Sequence, residues 1–471
     1  MARKKKDKLI FKSVEVLDAG ARGISVGKTP EGQVIMIPNV VPGDVVDIQT
    51  FKKKKNYFEG KPILFHQLSE HRTEPICEHF GVCGGCKWQN MNYEKQLFFK
   101  EKEVLNNLKR IGKIDIPEFE KILGSEKVFF YRNKMEFSFS DSRWLTKEEI
   151  ESDANLEDKN ALGFHIPGMW DKILDLNKCH LQEDPSNQIR NEVRRFATVE
   201  NIPFYNARTQ NGLLRTLMLR NTSIGEWMVL VQFFYEDQSL IQKLMHHIAE
   251  TFPQITSLLY VINDKGNDTL YDRDINCFKG RPYIIEEMEG LQFSINAKSF
   301  YQTNSAQAYE LYKITRDFAN LNGSETVYDL YTGTGTIALF VSKMAKRVIG
   351  IEAVPEAIED AKMNAINNKI ENCSFFAGDI KKVLTDEFIQ KNGAPDVIIT
   401  DPPREGMHKE VVEQILKVAP QKIVYVSCNS ATQGRDLALL DEVYKVTRVR
   451  PVDMFPQTHH VENVVLLEKR A

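Results

Sequence analysis

From about residue 290 onward, short apolar runs alternate with helix-length segments, and this narrows the fold more than any other feature of the chain. The runs are TVYDLY, RVIGIEA, SFFAGD, DVIITDPP and KIVYVSCN. Apolar strands that alternate with helices predict a parallel, doubly wound α/β sheet. In such open sheets, ligands bind outside the carboxyl ends of the strands. The residues that follow each run are therefore the first candidates for function.

The rest of the chain reads differently. Residues 1–65 carry strand-like strings (SVEVLDAG, ISVGK, QVIMIP, DVVDIQTF) broken by turn signals such as Pro42-Gly43-Asp44, the pattern of a small OB-like β-barrel. Residues 66–91 are strand-poor and hold a cysteine cluster. A helix is predicted over 92–111 from the stripe Leu97, Val104, Leu108 and Ile111, and the segment 92–115 is expected to pack on the C-terminal domain. Strands such as YRNKMEFSFS and EWMVLVQFFYE mix with helices up to about 285, and the acidic stretch Glu148 to Asn160 reads as a loop. The expectation is a multidomain α/β chain with a barrel (1–65), a central α+β domain (66–288) and a Rossmann-like domain (289–471). At 471 residues and 42% hydrophobic content, several cores can be filled.

No apolar run is long enough to span a bilayer, and the N-terminal MARKKKDKLIF lacks the apolar stretch of a secretory signal. A cytoplasmic location is expected, with no membrane partner. The formal net charge is only −3, from 62 Lys and Arg against 65 Asp and Glu, so global charge argues neither for nor against nucleic acid. Two local basic runs are suited to phosphates: Arg3 to Lys6, and Lys52 to Lys55 flanked by Phe51 and Tyr57. Either could equally be a solvated surface. The seven cysteines are odd in number and three are bunched, which points to metal or catalysis rather than disulfides.

In VYDLYTGTGTIAL, Gly333 and Gly335 allow a tight turn between strand and helix and a close approach to a ligand. The spacing is not the full G-x-G-x-x-G, so the turn alone is a weak signal. Glu352 ends the next strand, about 20 positions on, and Asp379 ends the third. Each acid alone could be a helix cap. A glycine turn, Glu and Asp on three consecutive strands together point to an adenosine ligand. The fourth strand ends in Asp401-Pro402-Pro403-Arg404, and the fifth delivers Cys428 just past its end, so Asp401 and Cys428 should face one crevice. A lone cysteine is commonly a small buried hydrophobe, but Ser427, Asn429 and Thr432 make this neighbourhood polar. His459, His460 and Glu462 precede a late apolar strand. They lie at a strand start rather than on a helix, which favours a carboxylate base over a metal site.

A thiol and a carboxylate in one crevice suit a particular reaction. Carbon 5 of a pyrimidine is a poor nucleophile. A thiolate that adds to carbon 6 converts the ring to an enolate, and carbon 5 can then attack a methyl sulfonium. A base must afterwards remove the carbon 5 proton so that the thiolate can leave. In RNA the reacting base would have to be flipped out of its stack.

The strings DPPREG, IVYVSCNSAT and VDMFPQTHHVE closely resemble the signatures of RNA (uracil-5-)-methyltransferases of the RumA/TrmA type, and SFYQTN (299–304) and YDLYTGTG match as well. The N-terminal segment resembles a TRAM domain, an RNA-binding barrel. The resemblance covers nearly the whole chain. It implies Cys428 as the nucleophile on carbon 6 and Glu462 as the base. It implies S-adenosylmethionine (SAM) contacts from Gln302, Tyr331, Glu352, Asp379 and Asp401, with Phe300 near the flipped base. At Thr336, where such enzymes often carry Asn, this chain departs from the pattern.

On spacing alone, Cys77-x5-Cys83-x2-Cys86 with a distant fourth ligand could hold zinc or an iron–sulfur cluster. CEHFGVCGGCKWQ and NKCHL resemble the iron–sulfur segments of the same family, which implies a [4Fe–4S] cluster on Cys77, Cys83, Cys86 and Cys179, with His79 and His180 as less favoured ligands. Barrel and cluster together favour 23S ribosomal RNA as substrate over tRNA, although some archaeal tRNA enzymes carry both; DNA is not expected as a partner. Three other classes compete. An amino-group methyltransferase would have an aromatic residue where Arg404 stands and no use for Cys428 and Glu462. A radical methylthiotransferase would need a C-x3-C-x2-C site, which is absent. A non-catalytic RNA-binding or assembly protein would not need a complete set of nucleophile, base and SAM contacts.

Overall fold

The structure, a computed structural model, describes residues 9–29, 31–152 and 158–470. The basic run Arg3 to Lys6 and part of the acidic stretch Glu148 to Asn160 lie outside them. A short helix, Lys147–Glu151, opens that stretch. Among the described residues, no helix is long and apolar enough to cross a membrane.

The N-terminal segment closes into a five-stranded barrel. Four of its strands (Ile10–Ala19, Ser25–Lys28, Val34–Ile37 and Val45–Lys53) follow the strings read from sequence. The fifth, Tyr57–Gln67, does not, and it is the one that pairs with both Val34–Ile37 and Val45–Lys53 to close the barrel. Pro62 within it can donate no ladder hydrogen bond, which argues against a strand. Register shifts at Asp47/Ile48 and Thr50/Lys52 on the partner strand flank the position of Pro62. The barrel core is small, built on Val14, Val16, Ile35, Ile37, Val46 and Ile48.

Residues 68–92 run without a regular element into the helix Tyr93–Asn107, which Asn92 caps by accepting a hydrogen bond from Lys95 N at 3.0 Å. A cap of this kind is worth about 1 kcal/mol. The predicted stripe is half right. Val104 and Leu108 are buried in the C-terminal core and Leu97 packs at its edge, whereas Ile111 is exposed, because the chain leaves the α-helix for a wider π turn over Leu108–Gly112. The turn packs on the helix Ser430–Leu440 of the C-terminal domain, where Gly112 and Gly434 approach so closely that a Cβ on Gly112 would lie 3.1 Å from the Gly434 carbonyl oxygen.

The central region is an eight-stranded mixed sheet that includes Lys134–Ser140 and Trp227–Phe233, with the helices Ser186–Val199 and Gln238–Thr251 against it. The hairpin Tyr283–Met288 and Leu291–Asn296 packs into the C-terminal core through Ile284, Phe293 and Ile295. The same core cluster takes in Met218, Met228, Leu230, Leu259 and Val261 of the central sheet, so the hairpin packs between the two regions.

The C-terminal sheet has seven strands: β1 Thr326–Leu330, β2 Arg347–Glu352, β3 Cys373–Ala377, β4 Val397–Thr400, β5 Lys422–Ser427, β6 Tyr444–Val452 and β7 Glu462–Lys469. Their order is β3-β2-β1-β4-β5-β7-β6. The strands β1 to β5 are parallel, as their near-continuous apolar runs predict. The last two depart from the parallel reading, because β7 inserts antiparallel between β5 and β6. The order reverses between β1 and β4, and a crevice opens at that switch point.

Candidate active site

Three neighbouring strand ends bring the predicted catalytic side chains together. Asp401 follows β4 and Cys428 follows β5. Because β7 runs antiparallel to β5 with Ser427 opposite Asn463, the next position along the ladder sets Cys428 beside Glu462. Residues opposite each other in an antiparallel pair have their Cβ atoms about 5 Å apart. Two residues distant in sequence thus become neighbours through one strand insertion.

The electrostatics follow from burial. Cys428 is half-buried, and its thiol is pushed up to about 12, first by burial and then by the carboxylates of Glu462 and Asp401; Arg404 opposes the shift. Glu462 is 4% exposed, and burial holds its carboxyl well above the ordinary range, with Asp401 adding to the shift and Arg404 again opposing it. Asp401 is raised by burial as well. Among the described residues Arg404 makes no ion pair. Its carbonyl oxygen accepts from Asn429 Nδ2 at 3.0 Å and Thr432 Oγ1 at 3.1 Å, which fixes the Asp-Pro-Pro-Arg loop to the cysteine loop.

A cavity of about 430 Å3 opens in front of Cys428. The catalytic domain contributes Arg404, Cys428, His459 and His460, the helix Tyr93–Asn107 contributes Lys102 and Asn107, and the barrel contributes Asp18 and Arg22. The barrel therefore forms a wall of the site itself. His459 and His460 lie ring to ring at 4.1 Å, and burial lowers them to about 3 and about 4, so both are neutral at physiological pH.

The nucleotide end is built around the turn after β1. Gly333 and Gly335 have φ of 55° and 81°. A Cβ on Gly333 would meet nothing within 4 Å, whereas one on Gly335 would lie 3.0 Å from Ala361. The first glycine faces open space and the second admits close packing. Glu352 Oε2 accepts from Gly333 N at 3.2 Å, and its Oε1 accepts from Ala353 N and Val354 N at 2.7 and 3.1 Å. Asp379 caps a short helix by accepting from Lys381 N. Both acids thus support backbone, and of the two Asp379 also lines a cavity. Tyr331 and Asp379 line a neighbouring cavity of about 720 Å3 together with Ala353, Pro403 and Arg435. Gln302 and Phe300 line neither cavity: Gln302 is half-buried, with its carbonyl oxygen bound by Asn133 Nδ2 at 2.9 Å, and Phe300 is 69% exposed. Thr336 is buried, its hydroxyl 3.3 Å from that of Thr334.

The sequence reading passed over Asp329. It sits within buried β1, 1% exposed. Its Oδ2 is bound by Thr332 Oγ1 at 2.5 Å and Ala338 N at 3.0 Å, while its Oδ1 is buried without a partner. Burial, with Asp401 nearby, raises it to about 7. A carboxylate inside an otherwise apolar strand was the available signal. Asp329, Asp401 and Glu462 form a set of desolvated acids that a cation would stabilise.

The four predicted metal-binding cysteines come together from two segments. Cys77, Cys83, Cys86 and Cys179 line one small cavity walled by Phe164, Leu176 and Leu181. Burial, with the other thiols adding to it, pushes Cys83 up to about 11 and Cys86 up to about 12. His79 and His180 line the same cavity; His79 Nε2 accepts from Asn177 N at 3.1 Å, and the His180 ring packs edge-on against Phe129. Among the described residues, no three His, Cys, Asp or Glu side chains are grouped closely enough to hold a single metal ion.

Known proteins align with this architecture. A family model described as tRNA (uracil-5-)-methyltransferase matches residues 283–470, and a TRAM domain model matches residues 12–63. A protein of Bacteroides thetaiotaomicron named as an uncharacterized RNA methyltransferase is 58% identical, with 96% of this chain and 100% of that protein covered. A protein of the same description from Porphyromonas gingivalis is 54% identical, covering 96% and 99%. Among solved structures, the Pyrococcus abyssi tRNA (uracil-54, C5)-methyltransferase in complex with S-adenosyl-L-homocysteine superposes with a TM-score of 0.75 at 27% identity, over 96% of this chain and 100% of that one.

Proposed function

The chain belongs to the family of SAM-dependent RNA uracil-5 methyltransferases, and from that premise we propose that it methylates carbon 5 of a uridine in 23S ribosomal RNA, in the cytoplasm, through a covalent bond from Cys428 to carbon 6. The observation that carries this reading is the β5–β7 register, which sets one buried carboxyl beside a thiol that lines a cavity walled in part by the barrel.

Cys428 loses its proton to solvent across its exposed side, with Arg404 as the cation that favours the thiolate. The Sγ–C6 bond forms, and the C5–C6 π electrons move onto the C5–C4–O4 enolate. Bound SAM supplies an electrophilic methyl group; as C5 takes it, the S–CH3 pair returns to sulfur and S-adenosylhomocysteine is left. The Glu462 carboxylate then takes the C5 proton, the C–H pair re-forms C5=C6, and the thiolate of Cys428 departs. A base whose affinity for protons is raised by burial suits this last step. Asp329 and Asp401 offer buried negative charge to the cationic end of SAM, and Tyr331, Glu352 and Asp379 surround its adenosine, with Gln302 and Phe300 serving the donor and the flipped base.

A [4Fe–4S] cluster is the group that the sequence resemblance implies here, and Cys77, Cys83, Cys86 and Cys179, which line one small cavity, would hold it. A single zinc ion needs its sulfurs about 2.3 Å from one point, whereas an iron–sulfur cubane takes thiolates set wider apart. The group would supply structural cross-linking, since methyl transfer consumes no electrons.

A tRNA substrate is the second reading, favoured by the name of the P. abyssi enzyme that superposes over the whole chain. One experiment separates the two: RNA carrying 5-fluorouridine, SAM and the protein are mixed and run on a denaturing gel. Fluorine cannot leave as a proton, so a protein–RNA adduct accumulates, and Cys428→Ala abolishes it. The expected adduct forms on 23S fragments. Adduct on tRNA alone overturns the ribosomal assignment, and methyl transfer without any adduct overturns the mechanism.

A further inference from the structure

Between β6 and β7, residues 453–461 form a strap that leads directly into Glu462. It is gripped by segments from outside its own domain. Lys87 N and Trp88 N both donate to the carbonyl oxygen of Gln457, at 2.8 and 3.1 Å. Gln96 and Gln457 bind each other reciprocally: Gln96 Nε2 donates to Gln457 Oε1 at 3.0 Å, and Gln457 N donates to Gln96 Oε1 at 2.9 Å. At the start of the strap Lys100 Nζ meets Asp453 Oδ1 at 2.6 Å, with both side chains fully buried.

The polarity of this grip is informative. A strap held only for stability could be packed with apolar side chains; buried, fully bonded polar groups instead enforce one register. Gln457 also holds a left-handed φ of 67°, which a residue with a Cβ adopts only where its surroundings impose it. Lys87 and Trp88 follow directly on Cys86, so the midpoint of the strap is bonded to the chain that leaves the cysteine cavity.

We propose that Gln96 and Gln457 are positioning residues: their reciprocal lock, tied to the cysteine segment through Lys87 and Trp88, sets the reach of Glu462 toward the proton it removes. The inference rests on the carbon 5 reading above. It assigns the lock to one half of the reaction. Cys428 lies just past β5 and its loop is held to Arg404 through Asn429; the strap reaches its cavity only through His459, His460 and Val461, beyond the locked Gln457, so the lock bears chiefly on Glu462. Proton removal, in which the C5–H pair re-forms C5=C6 and the Sγ–C6 bond breaks, depends on it.

The test uses the full chain with Gln457→Gly, which removes the side-chain half of the lock yet suits the left-handed backbone, and Gln96→Leu as an independent variant. Adduct formation and decay on ordinary RNA are followed by rapid quench and denaturing gel, with KM for RNA measured in parallel. In both variants the adduct should form at the wild-type rate and decay on the order of 100-fold more slowly, the cost of misplacing a reacting group by about 1 Å. It should therefore accumulate, with kcat and KM for RNA falling together and kcat/KM unchanged. Decay at the wild-type rate, or formation and decay slowed together, overturns the lock. A wild-type protein that gives no adduct on 5-fluorouridine RNA overturns the carbon 5 reading instead.

Discussion

The catalytic crevice and the cysteine cavity both bury thiols and both push them up, yet their surroundings differ. Cys428 has a cation, Arg404, and two carboxyls beside it, and it keeps a solvent-facing side. Cys83 and Cys86 have chiefly each other, Cys77 and Cys179 around them in a mixed lining, and the one cation that opposes the shift, Lys87, does so at Cys83 and as the smallest of its causes. A thiol whose proton affinity is opposed by a neighbouring cation can be recruited as a nucleophile; a set of thiols that raise one another becomes thiolate only when a metal group takes the charge. Under the proposed function the first arrangement would serve turnover and the second would hold a permanent group.

Three substitutions sharpen or break that contrast. The largest effect is expected for Glu462→Gln, which keeps shape and removes the base. Turnover should fall about 1000-fold, with the adduct accumulating on ordinary RNA in rapid-quench experiments. Wild-type turnover would break the claim that the crevice works as an acid–base pair.

An intermediate effect concerns SAM and pH. Burial raises Asp329, to about 7, and raises Asp401 and Glu462 as well. For carboxyls raised on folding, the stability they contribute is fully present below their unfolded values and is lost as pH rises through the raised ones. A cationic ligand reverses that loss, so SAM should release protons on binding near pH 7 and raise Tm more at pH 8 than at pH 6. Asp329→Asn should weaken SAM about tenfold, near the lower end for a hydrogen bond to a charged group, and shrink the pH contrast. Titration calorimetry in two buffers of different ionisation enthalpy reads the proton release, and none at pH 7 would contradict the account.

The smallest kinetic effect is expected at the cysteine cavity. Cys179→Ser should empty the protein of iron and lower its Tm, while turnover per folded molecule changes less than about tenfold, or about 1.4 kcal/mol of barrier. Loss of turnover on the scale of Glu462→Gln would show that the cavity controls the position of Glu462 and erase the contrast.

The comparison also tracks what was legible in the chain. Cys428 and Asp401 stand at the ends of apolar runs, and a parallel sheet delivers such residues to one edge whatever the details. The three bunched cysteines announced themselves by spacing. Asp329 was passed over because it lies inside a strand rather than after one. The fifth barrel strand, Tyr57–Gln67, is absent from the strings read in the sequence; offsets in the partner strand accommodate its Pro62. Ile111 was misplaced because a helical period cannot foresee a π turn.

By itself the sequence determined the α/β class and the family, and it singled out Cys428 and Glu462 as the candidate thiol and carboxyl, because hydrophobic period and short motifs are local properties of the chain. Only the tertiary structure decided that β7 runs backwards beside β5, that the barrel walls the cavity, and that the strap leading to Glu462 is locked by Gln96 and the cysteine segment. These are pairings between segments far apart in sequence. Their register is set by burial and hydrogen-bond satisfaction across the whole fold, and no window of sequence contains that information.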